Sequence, residues 1–386
     1  MRSFFALTVA LVGLSLSGSS IFAQTRDQAA GRAAARPSDA ATLATGWTAL
    51  AGGQLDAAAR AAGQVLARAP WNHAAMALRI EALSAADPLR GLDAYEKWLA
   101  SRPREDAGLL EPAPRAMLRQ IAAGDSDLRR EALRLLAAAG VSLPAGTADP
   151  GDQLAADGAQ AKNGDPAARK RLETAVAEGT VDPGLLADTL ESAGPVGTPM
   201  LMTMLTKPAG PARAAAAAVL GRRKAEEAKP ELRKLMMDPD PFVRSTAAVA
   251  LARMGDDQAM TVIEGMLQSP VPDLKIMAAE AFNGQPGAWV SVIRPLLENR
   301  DGVTRLQAAR VIAPVDPEAA RRTLQEAAGD TNPVIRAEAT RIMADVASTV
   351  PDAADLPQAR RLLRDRDPAV RLQAAAVLLA AARAGS

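Results

Sequence analysis

The sequence contains no cysteine and a single histidine, and these two shortages exclude several kinds of chemistry. Without cysteine the chain has no disulfide, no thiol nucleophile, no zinc ribbon and no thioether bond to a chromophore. His73 alone cannot form a multi-histidine metal centre, and neither a Gly-x-Ser-x-Gly turn nor a phosphate-binding Gly-x-x-x-x-Gly-Lys-Ser/Thr loop is present. We therefore expect no catalytic residue, no cofactor and no metal site, and predict that the protein is not an enzyme.

Aromatic residues are also scarce, at 3% of the chain, and the formal net charge is only +1. Proteins that bind nucleic acid need a basic surplus for the phosphates, and those that bind single strands need aromatic side chains on which bases stack. Both shortages argue against nucleic acid as a partner. Segments that alternate polar and β-branched residues are almost absent as well, which predicts an all-α protein.

Residues 1–23 have the composition of a secretory signal. Arg2 is the basic start, residues 4–16 form a short apolar stretch, and small residues lead up to Ala23, after which we expect cleavage. Cleavage removes Arg2, one of 45 basic residues, and leaves the others equal in number to the 44 acidic ones. The stretch is too short for a membrane span, so we expect no span after signal cleavage and predict a periplasmic or secreted protein. A retained N-terminal anchor is the alternative.

A short unit near the middle of the chain predicts a helix with defined ends. Asp240 is suited to cap the N-terminus, and Pro241 then falls at the first helical position, where its missing N–H costs nothing. Gly255 can end the helix in a left-handed conformation. Between these ends, apolar residues recur at helical spacing and form one face: Val243, Ala247, Ala250 and Leu251.

The same unit recurs along the chain around a basic residue, which we call the anchor. From Arg213 to Arg336 the anchors are 31, 31, 30 and 31 residues apart. A fixed period in this range is typical of stacked helix pairs, so the sequence predicts an all-α solenoid. The anchors are Arg129, Arg169, Arg213, Arg244, Lys275, Arg305, Arg336 and Arg371.

The segments "DPFVRSTAAVAL" and "DPAVRLQAAAVL" resemble the HEAT repeat, in its short class known from bilin-lyase-like proteins. The resemblance covers residues 161–386 and is clearest over 229–386. In that family, aspartates and arginines of successive repeats pair in a ladder, and Val271 and Asn332 depart from the pattern here. The resemblance implies ladder roles for Asp240, Arg244, Asp301, Arg305, Arg336, Asp367 and Arg371.

The N-terminal part resembles a different repeat. Residues 39–106 carry two copies of a pattern similar to the tetratricopeptide repeat, of which "GGQLDAAARAAGQVLARAP" is the most recognisable part. Residues 24–38, rich in Ala, Arg and Gln, are interpreted as a flexible linker. Residues 107–160 are interpreted as transitional helices and a hinge loop, which is rich in Gly, Pro and Ala over residues 140–152.

Positions of the second helix that lack a core role are where a solenoid carries its partner specificity. Residues two and five after the anchor share one helical face and vary from copy to copy. In HEAT-like stacks the second helix lines the concave side, so we predict that Gln307, Arg310, Glu338 and Arg341 lie on a binding surface; a merely solvated face is the alternative.

These patterns predict an exported, non-enzymatic scaffold or adaptor that binds a protein or peptide along the solenoid surface. Two other functions stay open. One is a lyase-like or ligand-carrying protein that uses the concave face, and the other is a purely structural component of the cell envelope.

Overall fold

A computed structural model describes residues 37–101, 106–124, 128–141, 150–282, 284–349 and 355–384, and these residues contain α-helices and short 3₁₀ turns but no β-strand. The all-α solenoid predicted from the sequence is confirmed. The predicted signal, nearly all of the linker and most of the hinge loop lie outside the described residues. The helices are α1 Pro37–Ala51, α2 Leu55–Arg68, α3 His73–Ala86, α4 Pro88–Leu99, α5 Ala107–Leu110, α6 Pro112–Ala123, α7 Arg129–Ala138, α8 Pro150–Lys162, α9 Pro166–Glu178, α10 Pro183–Ser192, α11 Thr198–Met204, α12 Gly210–Arg222, α13 Lys229–Leu235, α14 Pro241–Arg253, α15 Asp257–Leu267, α16 Pro272–Glu280, α17 Trp289–Ile293, α18 Gly302–Ile312, α19 Pro317–Ala327, α20 Pro333–Thr349, α21 Leu356–Leu362 and α22 Pro368–Ala384.

The ends of the helices follow the local chemistry of the repeat unit. The carboxylate of Asp240 accepts a hydrogen bond from the backbone N–H of Phe242 (2.9 Å), and Pro241 opens the helix without leaving a donor unpaired. Gly255 follows the helix with φ +75°, the left-handed conformation that glycine adopts without strain. The sequence pattern therefore predicts both ends of α14 correctly.

One predicted helix is interrupted. The sequence indicates a helix from Trp289 to Leu297, whereas α17 ends at Ile293 and a 3₁₀ turn continues through Arg294–Glu298. Pro295 has no N–H with which to bond the carbonyl four residues earlier, so the α-helical ladder cannot continue through it.

The two helices of each pair have different neighbours. Within the described part of the chain, each second helix packs on the next second helix, along the row α8, α10, α12, α14, α16, α18, α20 and α22, whereas consecutive first helices make few contacts. Helices that lie closer together are on the inside of a bend, so the second helices form the concave side. We call the surface that they present there the inner face.

Small side chains let the second helices approach closely. Ala216, Ala247, Ala278 and Ala308 are fully buried. A Cβ atom placed on Gly221 of α12 would lie 2.6 Å from the Cα atom of Ala250 on α14, so the backbones are nearly in contact at this point. The Ala-rich composition thus favours tight stacking of helices.

The C-terminal helices of the described chain meet its N-terminal segment. The last helix, α22, packs against α5 and α6 of the N-terminal segment. The Arg364 guanidinium binds the carboxylates of Asp93 (2.5 Å) and Glu96 (2.9 Å), which precede it by 271 and 268 residues. Beside it, the Arg360 guanidinium lies 5.9 Å from the centre of the Tyr95 ring. We call these five residues the closure contact. It closes the chain from Asp93 to Arg364 into a ring, which the sequence does not predict.

Helix α7 lies near both ends of the inner face. Arg134 binds the Glu131 carboxylate through two hydrogen bonds (2.8 and 2.6 Å), and these, together with the more distant carboxylates of Asp345 and Asp188, raise the pKa of Arg134. Asp345 belongs to α20 and Asp188 to α10, which are not neighbours in the stack. Both carboxylates therefore act on the same guanidinium of α7.

Candidate functional site: the inner face

The anchor arginines fold back on the loop that precedes their own helix. Nη1 of Arg244 donates to the carbonyl oxygens of Asp238 (2.6 Å) and Pro239 (3.1 Å), six and five residues earlier. Arg213, Arg305, Arg336 and Arg371 make the same two contacts with the corresponding carbonyls. These five anchors therefore fix the turn between the two helices of their repeats. Arg169 does not: it lies on α9, outside the row of second helices, and binds Glu173 of the same helix (2.9 Å).

The ladder implied by the HEAT resemblance differs in its partners. Arg336 does reach the next repeat, but it pairs with Asp365 (2.9 and 3.0 Å), two residues before the expected Asp367. Asp240, Asp301 and Asp367 instead cap their helices, and among the described side chains Arg244 and Arg305 have no carboxylate partner in the next repeat.

For Arg213 and Arg336, the carboxylate that pairs with the anchor is thus two residues before the cap. Asp365 accepts the N–H of Asp367 (2.8 Å) as well as the Arg336 guanidinium, so one carboxylate fixes both the loop and the neighbouring repeat. Asp238 does the same for Asp240 and Arg213, and hydrogen bonds from Arg213 hold the pKa of Asp238 below its usual range. After Arg244 the corresponding position is Ser269, which carries no charge.

A second ladder joins the first helices on the convex side. Arg233 of α13 binds Asp256, the N-cap of α15 (2.7 Å), and Arg294 binds Asp316, the N-cap of α19 (2.6 Å). Gln325 of α19 repeats the arrangement with Asp355, the N-cap of α21. Sequence reasoning missed this ladder, although an aspartate directly before each of these helices is its visible signal.

The four residues predicted to form a binding surface lie together on the inner face. Arg310 donates to Gln307 (2.9 Å) and also binds Glu280 of the preceding second helix. Gln307 donates to Glu338 of the next second helix (3.4 Å), which binds Arg341 through two hydrogen bonds (2.8 and 2.7 Å). The hydrogen bonds from Arg341 hold the pKa of Glu338 below its usual range. Together with Glu280, the four side chains therefore form one network across α16, α18 and α20.

The network continues toward the start of the HEAT-like segment. Nε of Arg253 donates to the backbone carbonyl oxygen of Glu280 (2.9 Å), while the Glu280 carboxylate lies 3.7 Å from Arg253. Arg222 of α12 pairs with Glu191 of α10 (2.5 Å). This hydrogen bond, and to a smaller extent the charge of Glu280 two second helices away, raises the pKa of Arg222. Charged side chains thus cover the inner face from α10 to α20.

A cavity lies on this surface between α12, α14, α16 and α18, and we call it the inner cavity. Its volume is about 370 Å³. Three arginines and one glutamate line it together with apolar groups, among which Phe242 is 58% exposed although it is a large aromatic side chain. The lining residues are Ala218, Arg222, Phe242, Thr246, Val249, Ala250, Arg253, Met277, Glu280 and Arg310.

The lone histidine lies elsewhere. Nε2 of His73, at the start of α3, is 2.8 Å from a carboxylate oxygen of Asp106, whose pKa is lowered by this hydrogen bond. The backbone N–H of Asp106 in turn donates to the Tyr95 hydroxyl (3.0 Å), so the pair fixes the end of α4. Within the ranges that the structure describes, no group of three or more potential metal ligands is found, and no helix has the length and apolar character needed to cross a bilayer.

Comparison with known proteins supports the repeat assignment. Residues 198–283 and 290–380 match the family model for HEAT repeats, so this part of the chain carries HEAT repeats as the sequence predicts. The tetratricopeptide-like character of the N-terminal repeats stays a prediction. No curated protein matches the sequence.

Solved structures with similarity to the chain are helical repeat proteins. Human deoxyhypusine hydroxylase in complex with glycerol is 15% identical, with a TM-score of 0.32 over 57% of this chain and 97% of that one. An engineered protein is 18% identical, with a TM-score of 0.29 over 85% of this chain and 95% of its own. A second engineered protein is 20% identical, with a TM-score of 0.23 over 60% and 98%.

Proposed function

We propose that this protein is an exported, non-enzymatic scaffold that binds a protein or peptide partner on its inner face. HEAT repeats support a role in protein interaction, because stacked helix pairs offer extended curved surfaces. The observation that carries the proposal is the charged network of Glu280, Gln307, Arg310, Glu338 and Arg341, which orders polar groups of three successive repeats on one accessible surface. Pre-ordered charges cost less conformational entropy on binding than mobile ones.

Reversing the charges of Arg310 and Arg341 on the inner face is expected to cause a large loss of the recovered partner. The double substitution Arg310→Glu and Arg341→Glu places like charges beside Glu280 and Glu338, which breaks the network and inverts the surface charge. The full-length tagged chain is purified from the native envelope, and its partners are identified by mass spectrometry. We expect at least a tenfold loss of the specific partner, about 1.4 kcal/mol of binding free energy.

The matched control carries the same charge change on the convex side. Arg321 and Arg322 lie on the first helix α19, and Arg321 pairs with Glu318 three residues earlier, as Arg341 pairs with Glu338. Arg321→Glu with Arg322→Glu should therefore retain the partner. Equal recovery with both double variants would contradict the proposal, and a coloured or metal-bearing preparation would favour a ligand carrier instead. The same spectra test export, because the mature chain should begin at Gln24.

A further inference from the structure

The lining of the inner cavity contains three arginines and one carboxylate, that of Glu280. Arg222 is compensated on its other side by Glu191 and by Asp188 (3.4 Å). Arg253 and Arg310 share the single carboxylate of Glu280, and Arg310 takes the close contact. Arg253 is left with a carboxylate at 3.7 Å and a hydrogen bond to a neutral carbonyl.

Arg253 is also shielded from water, so the lack of a closer carboxylate partner costs more free energy than it would at an exposed site. Its side chain is only 13% exposed. Burial lowers the pKa of Arg253. The Glu280 charge opposes this shift, and the smaller effects of the Arg222 and Arg310 charges add to it. A poorly hydrated guanidinium with N–H donors still available binds a carboxylate well, because bidentate, charge-assisted hydrogen bonds replace the missing water.

The rest of the lining restricts the kind of anion. Phe242 is exposed at the cavity, next to Met277 and the buried side chain of Val249, so the ligand needs an apolar group beside its negative charge. Inorganic phosphate would leave this apolar wall uncovered. The volume of about 370 Å³ is at the lower end of the range for ligand sites, which suits one or two residues of a peptide better than a cofactor.

We propose that the inner cavity binds a peptide segment of the partner that presents a carboxylate next to an apolar side chain, with Arg253 and Arg310 on the carboxylate and Phe242 on the apolar group. This inference rests on the proposed scaffold function and names the chemistry that the partner brings to it. The carboxylate comes either from an internal acidic residue or from the C-terminus of the partner chain.

Three fluorescent peptides test the inference by anisotropy with the full-length protein. The first is an acetylated, amidated pentapeptide with aspartate between two leucines, the second has asparagine in place of aspartate, and the third is the asparagine peptide with a free C-terminal carboxylate. We expect the aspartate peptide or the free-carboxylate peptide to bind at least tenfold more tightly than the neutral one, and more weakly as salt rises. The tighter of the two identifies the source of the carboxylate. Equal binding of all three, or no binding, would overturn the inference.

Variants locate the site. Phe242→Ala should weaken binding of the tighter peptide about tenfold, the effect typical of an aromatic side chain at the centre of an interface. Arg253→Gln should remove the protein's preference for a charged peptide. Phe242 is exposed, so its replacement leaves the fold intact even if Arg253→Gln is unstable. Met237→Ala is the control, because Met237 is a large apolar side chain, 85% exposed, that does not line the cavity. Full affinity in Phe242→Ala would contradict the assignment.

The two proposals fail in different ways. If no peptide binds while Arg310→Glu with Arg341→Glu still loses the native partner, the cavity inference is wrong and the scaffold function stands. If the carboxylate peptides bind while the native partner is retained by that double variant, the cavity is a site but the inner face does not hold the partner.

Discussion

Replacement of Arg360 by alanine is expected to lower the free energy of unfolding by about 2 kcal/mol, since a buried cation over an aromatic ring contributes both packing and electrostatic attraction. Arg360 is only 7% exposed and lies over Tyr95, which is completely buried, with the Glu96 carboxylate 3.7 Å away. Its removal leaves a gap at the closure contact between α4 and α21. Because this contact holds the two ends of the chain together, its loss should weaken the whole ring.

Urea unfolding measures the effect, and hydrogen exchange locates it. The urea midpoint should be lower in Arg360→Ala than in the unchanged protein. The substitution should speed amide exchange more in α6 and α22 than in α14, which is far from the closure contact. Arg361→Ala is the matched control, because Arg361 is the next residue of α21 and is exposed. Its effect should stay within about 0.5 kcal/mol, as for an ordinary surface substitution. Equal midpoints for the two variants would show that the closure contact adds little stability.

Gly221→Ala is expected to destabilise the protein by about 2 kcal/mol, within the range for overpacking a close contact. The added Cβ would lie 2.6 Å from both the Cα and the Cβ atoms of Ala250, so α12 and α14 must move apart. A backbone atom cannot turn away as a flexible side chain can. The strain therefore falls on the contact between two second helices.

Gly265→Ala makes the same chemical change, but we expect the opposite effect on the free energy of unfolding. Gly265 lies within α15, is exposed, and has nothing within 4 Å of an added Cβ. Alanine there should stabilise the protein by about 0.5 to 1 kcal/mol through helix propensity alone. Urea unfolding of both variants checks the pair. A stabilising effect at both positions would contradict the close approach of α12 and α14.

Local structure could be predicted from the sequence because local chemistry determines it. The Asp-Pro pair that starts α14 and the glycine that ends it act within a few residues, and the 31-residue spacing of the anchors indicates repetition directly. The partner of Arg336 was harder to predict. Asp365 and Asp367 both precede the same helix, and only the geometry of the turn decides which of the two faces the neighbouring repeat.

Ring closure could not be predicted in this way. Asp93, Glu96 and Arg364 are ordinary charged residues in helical segments, and nothing in their spacing indicates that they meet. Closure depends on the small bend between successive repeats, summed around the stack. For the same reason, the sequence could place Gln307, Arg310, Glu338 and Arg341 on one face but could not show that they bind one another.

A cross-link between the two ends of the chain tests the closed ring most directly. The protein has no cysteine, so the double variant Asp93→Cys with Arg364→Cys offers a short bismaleimide only two thiols. Asp93→Cys with Arg321→Cys, on the convex side of α19, is the control pair. The closed ring predicts an efficient intramolecular cross-link between positions 271 residues apart in the first pair and little in the second. Equally low yields in the two pairs, with both proteins folded, would show that the stack is open and would contradict the account.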